Sequence, residues 1–158
     1  MQALLKRKKV ILKKINNISY ADFIATSQVK MALETEDYEL DYNTVLKGVT
    51  SVIENPVKGN YYIVFINDEP VSCLLTVPEW SDWRNKTVLW IHSVYVDESY
   101  REQGVYKYMY KCLSEFVESD DSYAGIRLYV DKRNIKALKV YSSLGMESEH
   151  YSLCEWLK

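Results

Sequence analysis

The apolar residues of this chain recur at two spacings, one typical of helices and one typical of strands. The clearest helical spacing follows Asp41, which is a suitable N-cap, and it comprises Val45, Leu46, Val49, Val52 and Ile53. A second begins after Gly104 and comprises Val105, Met109, Cys112, Leu113 and Phe116. Both stretches are predicted to be helices. The first is expected to end at Asn55-Pro56, because the residue before a proline disfavours helical geometry.

Two further helices are predicted from their end signals. Ser19 and Asp22 give a start that resembles a capping box, for a helix through about Leu33 with only a fair apolar face. The acidic stretch 34–41 that follows is expected to link it to the next helix. Asn134 is the predicted N-cap of a later helix through Leu144, with Gly145 just beyond its end.

Runs rich in branched and aromatic residues predict six strands. Turn residues 67–69 separate the second and third strands and indicate a hairpin, and Pro78 is expected to end the third strand before a loop over 79–85. The strands are predicted at Val10–Ile15, Tyr61–Ile66, Val71–Val77, Thr87–Val96, Ile126–Val130 and Tyr151–Leu157. Strands and helices in this order predict a mixed α/β domain with helices on one sheet.

Composition narrows the class of protein. With 158 residues, 47% hydrophobic and 27% charged, the chain is expected to form one soluble domain, and a net charge of −2 gives no general attraction to nucleic acid or anionic membranes. The basic start, residues 1–9, is interpreted as a solvated, flexible tail, with RNA binding or targeting as the alternative. Three cysteines without a CxxC pair, and two histidines, indicate a reduced cytoplasmic protein without a structural zinc site. No apolar run approaches the roughly 20 residues of a membrane span, and no secretory signal is expected.

A candidate anion site lies where the strand ending at Val96 passes through a turn into the helix after Gly104. Such a helix start presents unpaired N–H groups and the positive end of the helix dipole, which suits phosphate. The pattern Arg101-x-x-Gly104 alone is weak evidence for a phosphate site, since a surface arginine and a turn glycine give the same pattern. A second motif thirty residues later, Asn134-x-x-Ala137-x-x-x-Tyr141-x-x-x-Gly145, makes the combination far more specific.

Together the two motifs resemble those of the GNAT superfamily of acyl-CoA N-acyltransferases, over roughly Val10 to Leu157. The segments MALETE at 31–36 and EWSDWRN at 79–85 are similar to a bacterial subgroup whose acceptor is unassigned. The resemblance implies one GNAT domain over 1–158, with a mixed, mostly antiparallel central sheet flanked by about four helices. It also implies acetyl-CoA as co-substrate, no metal, and possible homodimerisation.

The resemblance implies a coenzyme site made largely of backbone groups. Residues 94 and 96 would pair with the pantetheine arm, and N–H groups around Gly104 would hold the pyrophosphate. Tyr106 departs from the family pattern, in which Gly or Ala is usual at this position. The residues implied to bind the coenzyme are Val94, Tyr95, Val96, Arg101, Glu102, Gln103, Gly104, Val105, Tyr106, Asn134, Ala137 and Tyr141.

Two side chains are the candidates for catalysis. Tyr141 matches the family's general acid, which would protonate the departing thiolate, and a core tyrosine is the alternative. His92 is the first candidate for the general base, at a position that resembles that of a histidine in serotonin N-acetyltransferase. A strand period of two predicts that His92 shares a face with Val94 and Val96. A half-buried structural histidine is the alternative.

The acceptor is expected to be a small cationic primary amine. Two tryptophans with a carboxylate between them suit an amine, and packing over the sheet edge is the alternative. The acidic residues Glu34, Glu36, Glu79 and Asp82 are rival candidates for the general base, and solvated surface charges are the alternative interpretation. The residues expected to bind the acceptor are Glu34, Glu36, Trp80, Asp82, Trp83 and His92, with Glu79 as a further rival base. The predicted function is direct acetyl transfer to a small-molecule amine in a ternary complex, without nucleic-acid or membrane partners. Acetylation of a peptide or protein amine, and a non-catalytic acyl-CoA sensor, are the alternatives.

Overall fold

A computed structural model describes residues 8–148 and 153–156. The chain divides into two compact units, Met1–Leu128 and Tyr129–Lys158.

The first unit contains one five-stranded sheet in the order β1-β2-β3-β4-β5. Neighbours from β1 to β4 are antiparallel, and β5 is parallel to β4, so the sheet is mixed and mostly antiparallel. The elements are β1 (Val10–Lys14), α1 (Ala21–Glu36), α2 (Tyr42–Glu54), β2 (Asn60–Ile66), β3 (Glu69–Ser81), β4 (Lys86–Val96), α3 (Val105–Ser119) and β5 (Tyr123–Leu128). Short 3-10 turns lie at Ile18–Tyr20 and Glu98–Tyr100.

Apolar clusters cover the two faces of this sheet. One cluster joins α1 and α2 to the sheet and includes Ile24, Val49, Ile63 and Cys73. The other joins α3 to the opposite face and includes Val64, Leu74, Ile91, Met109 and Leu113. Burial of alternate strand residues on opposite faces is what a sheet between two layers of helix requires.

The second unit contains α4 (Ile135–Ser143) among its described residues. Asn134 caps it as predicted, because its side-chain oxygen accepts a hydrogen bond from the Ala137 N–H at 3.0 Å. Gly145 follows the helix with φ of 80°, a left-handed conformation that glycine adopts without steric cost. With α4, the described residues hold four helices and five strands, and the predicted α/β class is confirmed.

The start and the end of α1 differ from the sequence prediction. Ser19 is not its cap: the Asn17 side chain accepts from the Ser19 N–H at 2.9 Å and caps a 3-10 turn that precedes α1. The helix continues to Glu36, so that residues 34–36 are helical and not part of a link. It ends at Asp37, whose φ of 53° breaks the helical geometry.

Pro78 does not end β3, which continues to Ser81. The last pair between β2 and β3 is Asn60 with Thr76, so Pro78 lies where β3 has only β4 beside it. A residue without an N–H is tolerated at such an edge. Residues 79–81, predicted as loop, are therefore strand.

The structure corrects three other predictions, concerning β5, the buried face of α3 and the last predicted strand. β5 begins at Tyr123 and ends at Leu128, earlier than the predicted Ile126–Val130. Phe116, predicted on the buried face of α3, is 42% exposed and packs edge-on against Tyr123. Of the strand predicted at Tyr151–Leu157, residues 153–156 are described and are not strand, and the rest lies outside the described residues.

Candidate functional site

Strands β4 and β5 separate halfway along β4. Their pairs run from Thr87 with Tyr123 to Ile91 with Leu128, whereas β4 continues to Val96. Over residues 92–96, β3 still pairs with one side of β4. Within the described part of the first unit, the other side of this segment has no neighbouring strand, which leaves backbone groups that an extended ligand could pair with.

A β-bulge at Ser93 interrupts β4 inside this segment. Leu75 pairs with His92 and Cys73 with Tyr95, so β4 has one residue more than β3 between the two pairs. Ser93 has φ of 49°, in the left-handed region. The bulge reverses the alternation of side chains beyond it.

The predicted face of His92 is therefore wrong. Because paired residues share a face, His92 and Tyr95 lie on the face covered by α1 and α2, together with Cys73. Val94 and Val96 belong to the cluster on the α3 face. A side-chain period of two holds only along an unbroken strand, and the bulge at Ser93 breaks β4 between His92 and Val94.

Gln28 contacts the bulge and was not among the residues selected from the sequence. It is a buried residue of α1 whose Nε2 donates to the Ser93 carbonyl at 3.4 Å and lies 3.8 Å from the Cys73 sulfur. The only sequence signal is a polar residue within the apolar stretch of α1, and its partner lies 65 residues away.

The turn between β4 and α3 is held by side chains onto the backbone. Asp97 accepts from the Ser99 N–H at 3.0 Å, and the Gln103 side-chain amide donates to the Ser99 carbonyl at 2.7 Å. Glu102 and Gly104 both have positive φ, 60° and 88°. No side chain caps α3, and its first backbone bond is from Tyr108 N–H to Gly104 O at 3.0 Å. The N–H groups of the first helical turn and the positive end of the dipole therefore fit a pyrophosphate.

The Arg101 side chain turns back onto the protein. Its Nε donates to the Val96 carbonyl at 2.8 Å, its Nη2 to Glu34 at 2.6 Å, and the guanidinium lies 5.8 Å from the Tyr95 ring centroid. The structure thus brings together one residue predicted for the coenzyme and one predicted for the acceptor, as an ion pair with each other.

Tyr106 occupies the position where the family pattern has a small residue. The ring packs against the apolar cluster of the α3 face, and its centroid lies 6.4 Å from that of Tyr110, one turn along. Packing of the ring into the core side of the helix explains how a large side chain is accommodated at this position.

His92 is half-buried beside Trp90, with 6.2 Å between the ring centroids. Burial lowers the pKa of His92 below its ordinary value, because the charged imidazolium loses hydration. The neutral ring is therefore the main form at pH 7, as a general base requires.

The predicted acceptor residues are divided among separate places. Glu79 accepts hydrogen bonds from Trp90 and Arg127, and Glu36 is exposed in the last turn of α1. Asp82 accepts from the Trp83 backbone N–H at 2.9 Å. Trp80 and Trp83 are 62% and 88% exposed, and alternation along β3 puts Trp80 on the face opposite Glu79.

In the second unit, Ala137 and Tyr141 lie one turn apart on α4 and share a face. Tyr141 is half-buried, and its carbonyl accepts from the N–H groups of Leu144 and Met146 at the helix end. The cap by Asn134 fixes where this helix begins and therefore where the tyrosine lies along it.

Comparison with known proteins defines the class. The model of the acetyltransferase (GNAT) family matches residues 14–146. A crystal structure of a possible acetyltransferase from Clostridium difficile 630 has 36% sequence identity and a TM-score of 0.88, covering 94% of this chain and 97% of that one. The chain belongs to the GNAT family of acetyltransferases, whose members use acetyl-CoA. Among curated proteins, none matches this sequence.

More distant structures share the fold. A ribosomal-protein-alanine N-acetyltransferase from Brucella melitensis biovar Abortus 2308 has 11% identity and a TM-score of 0.76, with 95% and 100% of the two chains covered. An aminoglycoside acetyltransferase from an uncultured soil metagenomic sample, in complex with trehalose, has 16% identity and a TM-score of 0.70, covering 96% and 97%. At these identities the likeness concerns the fold and not the acceptor.

Two structural features are absent from the described part of the chain. None of its helices has the length and apolar character needed to cross a membrane. No group of three or more His, Cys, Asp or Glu side chains among the residues described there could hold a metal ion.

Proposed function

We propose that the chain is a single acetyltransferase domain that transfers an acetyl group from acetyl-CoA to a primary amine, by direct attack in a ternary complex. The observation that carries this proposal is the continuous path along residues 93–96 of β4, beside which the described part of the first unit has no strand other than β3, through the turn to the start of α3, where no side chain caps the helix. It offers backbone pairing for an extended arm and, directly after it, N–H donors for a pyrophosphate.

Backbone groups and not the Arg101 side chain would supply most of the donor site. Residues 94–96 would pair with the pantetheine arm, and the N–H groups from Gln103 to Tyr106 would hold the pyrophosphate. Acetyl-CoA supplies the activated acetyl thioester. Asn134, Ala137 and Tyr141, in the second unit, match the family's second motif and are proposed to bind the coenzyme.

His92 is the proposed general base. An alkylammonium has a pKa of about 10, so its proton must be removed before attack. The carboxylates of Glu34 and Glu79 are each already engaged in an ion pair with an arginine. Burial lowers the pKa of His92, so its half-buried imidazole is neutral at pH 7 and can accept the proton of the amine.

Tyr141 is the proposed general acid. A thiolate of pKa about 8.5 leaves in the reaction, and a phenol of pKa about 10 can donate its proton to it and recover it from water. Tyr141→Phe keeps the ring and removes this proton. It is expected to lower kcat at least tenfold with little change in coenzyme affinity, an effect at the lower end of general acid catalysis.

The test is release of free thiol by the purified protein, acetyl-CoA and a panel of primary amines. The panel holds small amines, among them polyamines and arylalkylamines, and peptides with free N-termini. Amine-dependent thiol release supports the proposal, and the accepted amines distinguish a small-molecule acceptor from a peptide or protein amine. Failure of millimolar acetyl-CoA and coenzyme A to shift the melting temperature would refute the donor site.

A non-catalytic acyl-CoA sensor is the second candidate function. It is favoured by the ion pairs of Glu34 and Glu79, since the carboxylates of these two candidate bases are already bound to arginine side chains. A melting temperature that rises with acetyl-CoA, together with no thiol release from any amine in the panel, would support the sensor over the enzyme.

A further inference from the structure

Three side chains join three neighbouring strands on one face of the sheet. Glu79 on β3 accepts from the indole Nε1 of Trp90 on β4 at 2.7 Å, and from Nη1 of Arg127 on β5 at 2.9 Å. The Arg127 guanidinium carbon also lies 5.8 Å from the Trp90 ring centroid. Each of the three therefore contacts the other two, and we call them the Glu79 cluster.

The register of the sheet puts the Glu79 cluster at the point where β4 and β5 separate. Trp90 is paired with Arg127, and the last pair of the two strands, Ile91 with Leu128, follows directly. Trp90 is also paired with Val77, which shares a face with Glu79 two residues on. His92 is the next residue on that face of β4, and its ring lies 6.2 Å from that of Trp90.

The charges of the cluster are partly exposed, at 38% for Arg127 and 43% for Glu79. Ion pairs of this kind contribute little to stability by themselves. The indole hydrogen bond and the guanidinium over the ring restrict how the three side chains are oriented to one another, because these planar groups interact well only in a narrow range of geometries. The cluster therefore restrains the ends of the paired strands locally, even where it adds little to the free energy of unfolding of the whole domain.

We propose that the Glu79 cluster fixes the point at which β4 and β5 separate, and so positions the open side of β4 for the acyl-CoA arm. Its members are positioning residues, and this part of the inference rests on the proposed function. Without the cluster, the pairs just before the separation open more often. The unpaired segment then has no fixed beginning, which weakens coenzyme binding without removing any group that touches the coenzyme.

The first measurement needs no ligand. Hydrogen–deuterium exchange of the free protein is compared for wild type, Glu79→Leu, Arg127→Leu and Glu79→Gln. The two leucine variants are expected to lose amide protection at residues 88–91 and 126–128, while residues 61–66 of β2 keep theirs. Glu79→Gln keeps an acceptor oxygen for both donors and is expected to retain most of the protection. Unchanged protection at residues 88–91 in both leucine variants would overturn the proposal.

The second measurement is the Kd for coenzyme A, by calorimetry. Each leucine variant is expected to raise it roughly 3- to 10-fold, and the double variant no further, because residues in one network do not act additively. Lys111→Leu is the matched control, since Lys111 forms an ion pair with Glu115 within α3 and both side chains are more than half exposed. A Kd equal to that of wild type in the leucine variants, or fully additive effects, would overturn the positioning role.

The two measurements separate this inference from the proposed function. If the leucine variants lose amide protection locally and the wild-type protein binds no coenzyme A, the role of the cluster is supported and the donor site is refuted. Coenzyme binding by wild type with unchanged protection in the variants would support the donor site and refute the cluster.

Discussion

Arg101 and Glu34 form an ion pair, with 2.6 Å between Nη2 and Oε2, that joins the turn before α3 to the last turn of α1. The same arginine holds the Val96 carbonyl at the end of β4. One side chain expected to bind a phosphate and one expected to face the acceptor therefore neutralise each other. The arginine ties three segments of the proposed donor and acceptor sites together.

Glu34→Gln is expected to tighten coenzyme A binding by roughly 2- to 5-fold, because Arg101 no longer has to leave an anion before it approaches a phosphate. The free energy of unfolding should fall by no more than about 1 kcal/mol, since both side chains are partly exposed. Calorimetry and urea denaturation measure the two effects. Weaker coenzyme binding in the variant would mean that the pair is needed as a support.

His92→Gln is expected to remove the acidic limb of the pH profile of kcat/KM, with a loss of roughly 100-fold on the plateau. Burial lowers the pKa of His92 from 6.5, so the active, neutral form persists below pH 6.5 and the wild-type limb lies there. His150→Gln, at the only other histidine, is the control. A wild-type limb that survives in His92→Gln would exclude His92 as the base.

Ser93→Val is expected to lower the free energy of unfolding by more than about 1 kcal/mol, because a β-branched residue fits poorly at positive φ. Ser93→Gly should be neutral or stabilising by up to about 1 kcal/mol, since glycine adopts this conformation without strain. Thr87→Val, at a β4 position that pairs in regular register with Trp80 of β3, is the control. Equal effects of valine at both positions would contradict the bulge.

Cys73 is expected to resist alkylation by iodoacetamide at pH 8 in the native protein, whereas Cys154, which is exposed, reacts. Burial raises the pKa of Cys73 to about 12, so almost no thiolate is present, and the side chain is out of reach of the reagent. Peptide mass spectrometry before and after unfolding measures the labelling. An acetylated Cys73 after incubation with acetyl-CoA would contradict direct transfer.

The sequence by itself determined the features that depend on a few neighbouring residues. The apolar spacing that predicts α2 and α3, and the caps Asp41 and Asn134, act within one or two helical turns, and each appears as predicted. The hairpin turn at Asn67 and Asp68 is equally local, with φ of 51° and 67°. The motifs therefore predicted the helices on which Asn134, Ala137 and Tyr141, and the residues after Gly104, lie.

The tertiary structure decided which side chains meet. The bulge at Ser93 depends on how β4 pairs with β3, and no spacing within β4 reveals it. Glu34 meets Arg101 across 67 residues, and Glu79 meets Arg127 across 48. Such contacts follow from the register and packing of whole elements. The sequence therefore identifies these charged residues as candidates for a site but does not show that they pair with each other.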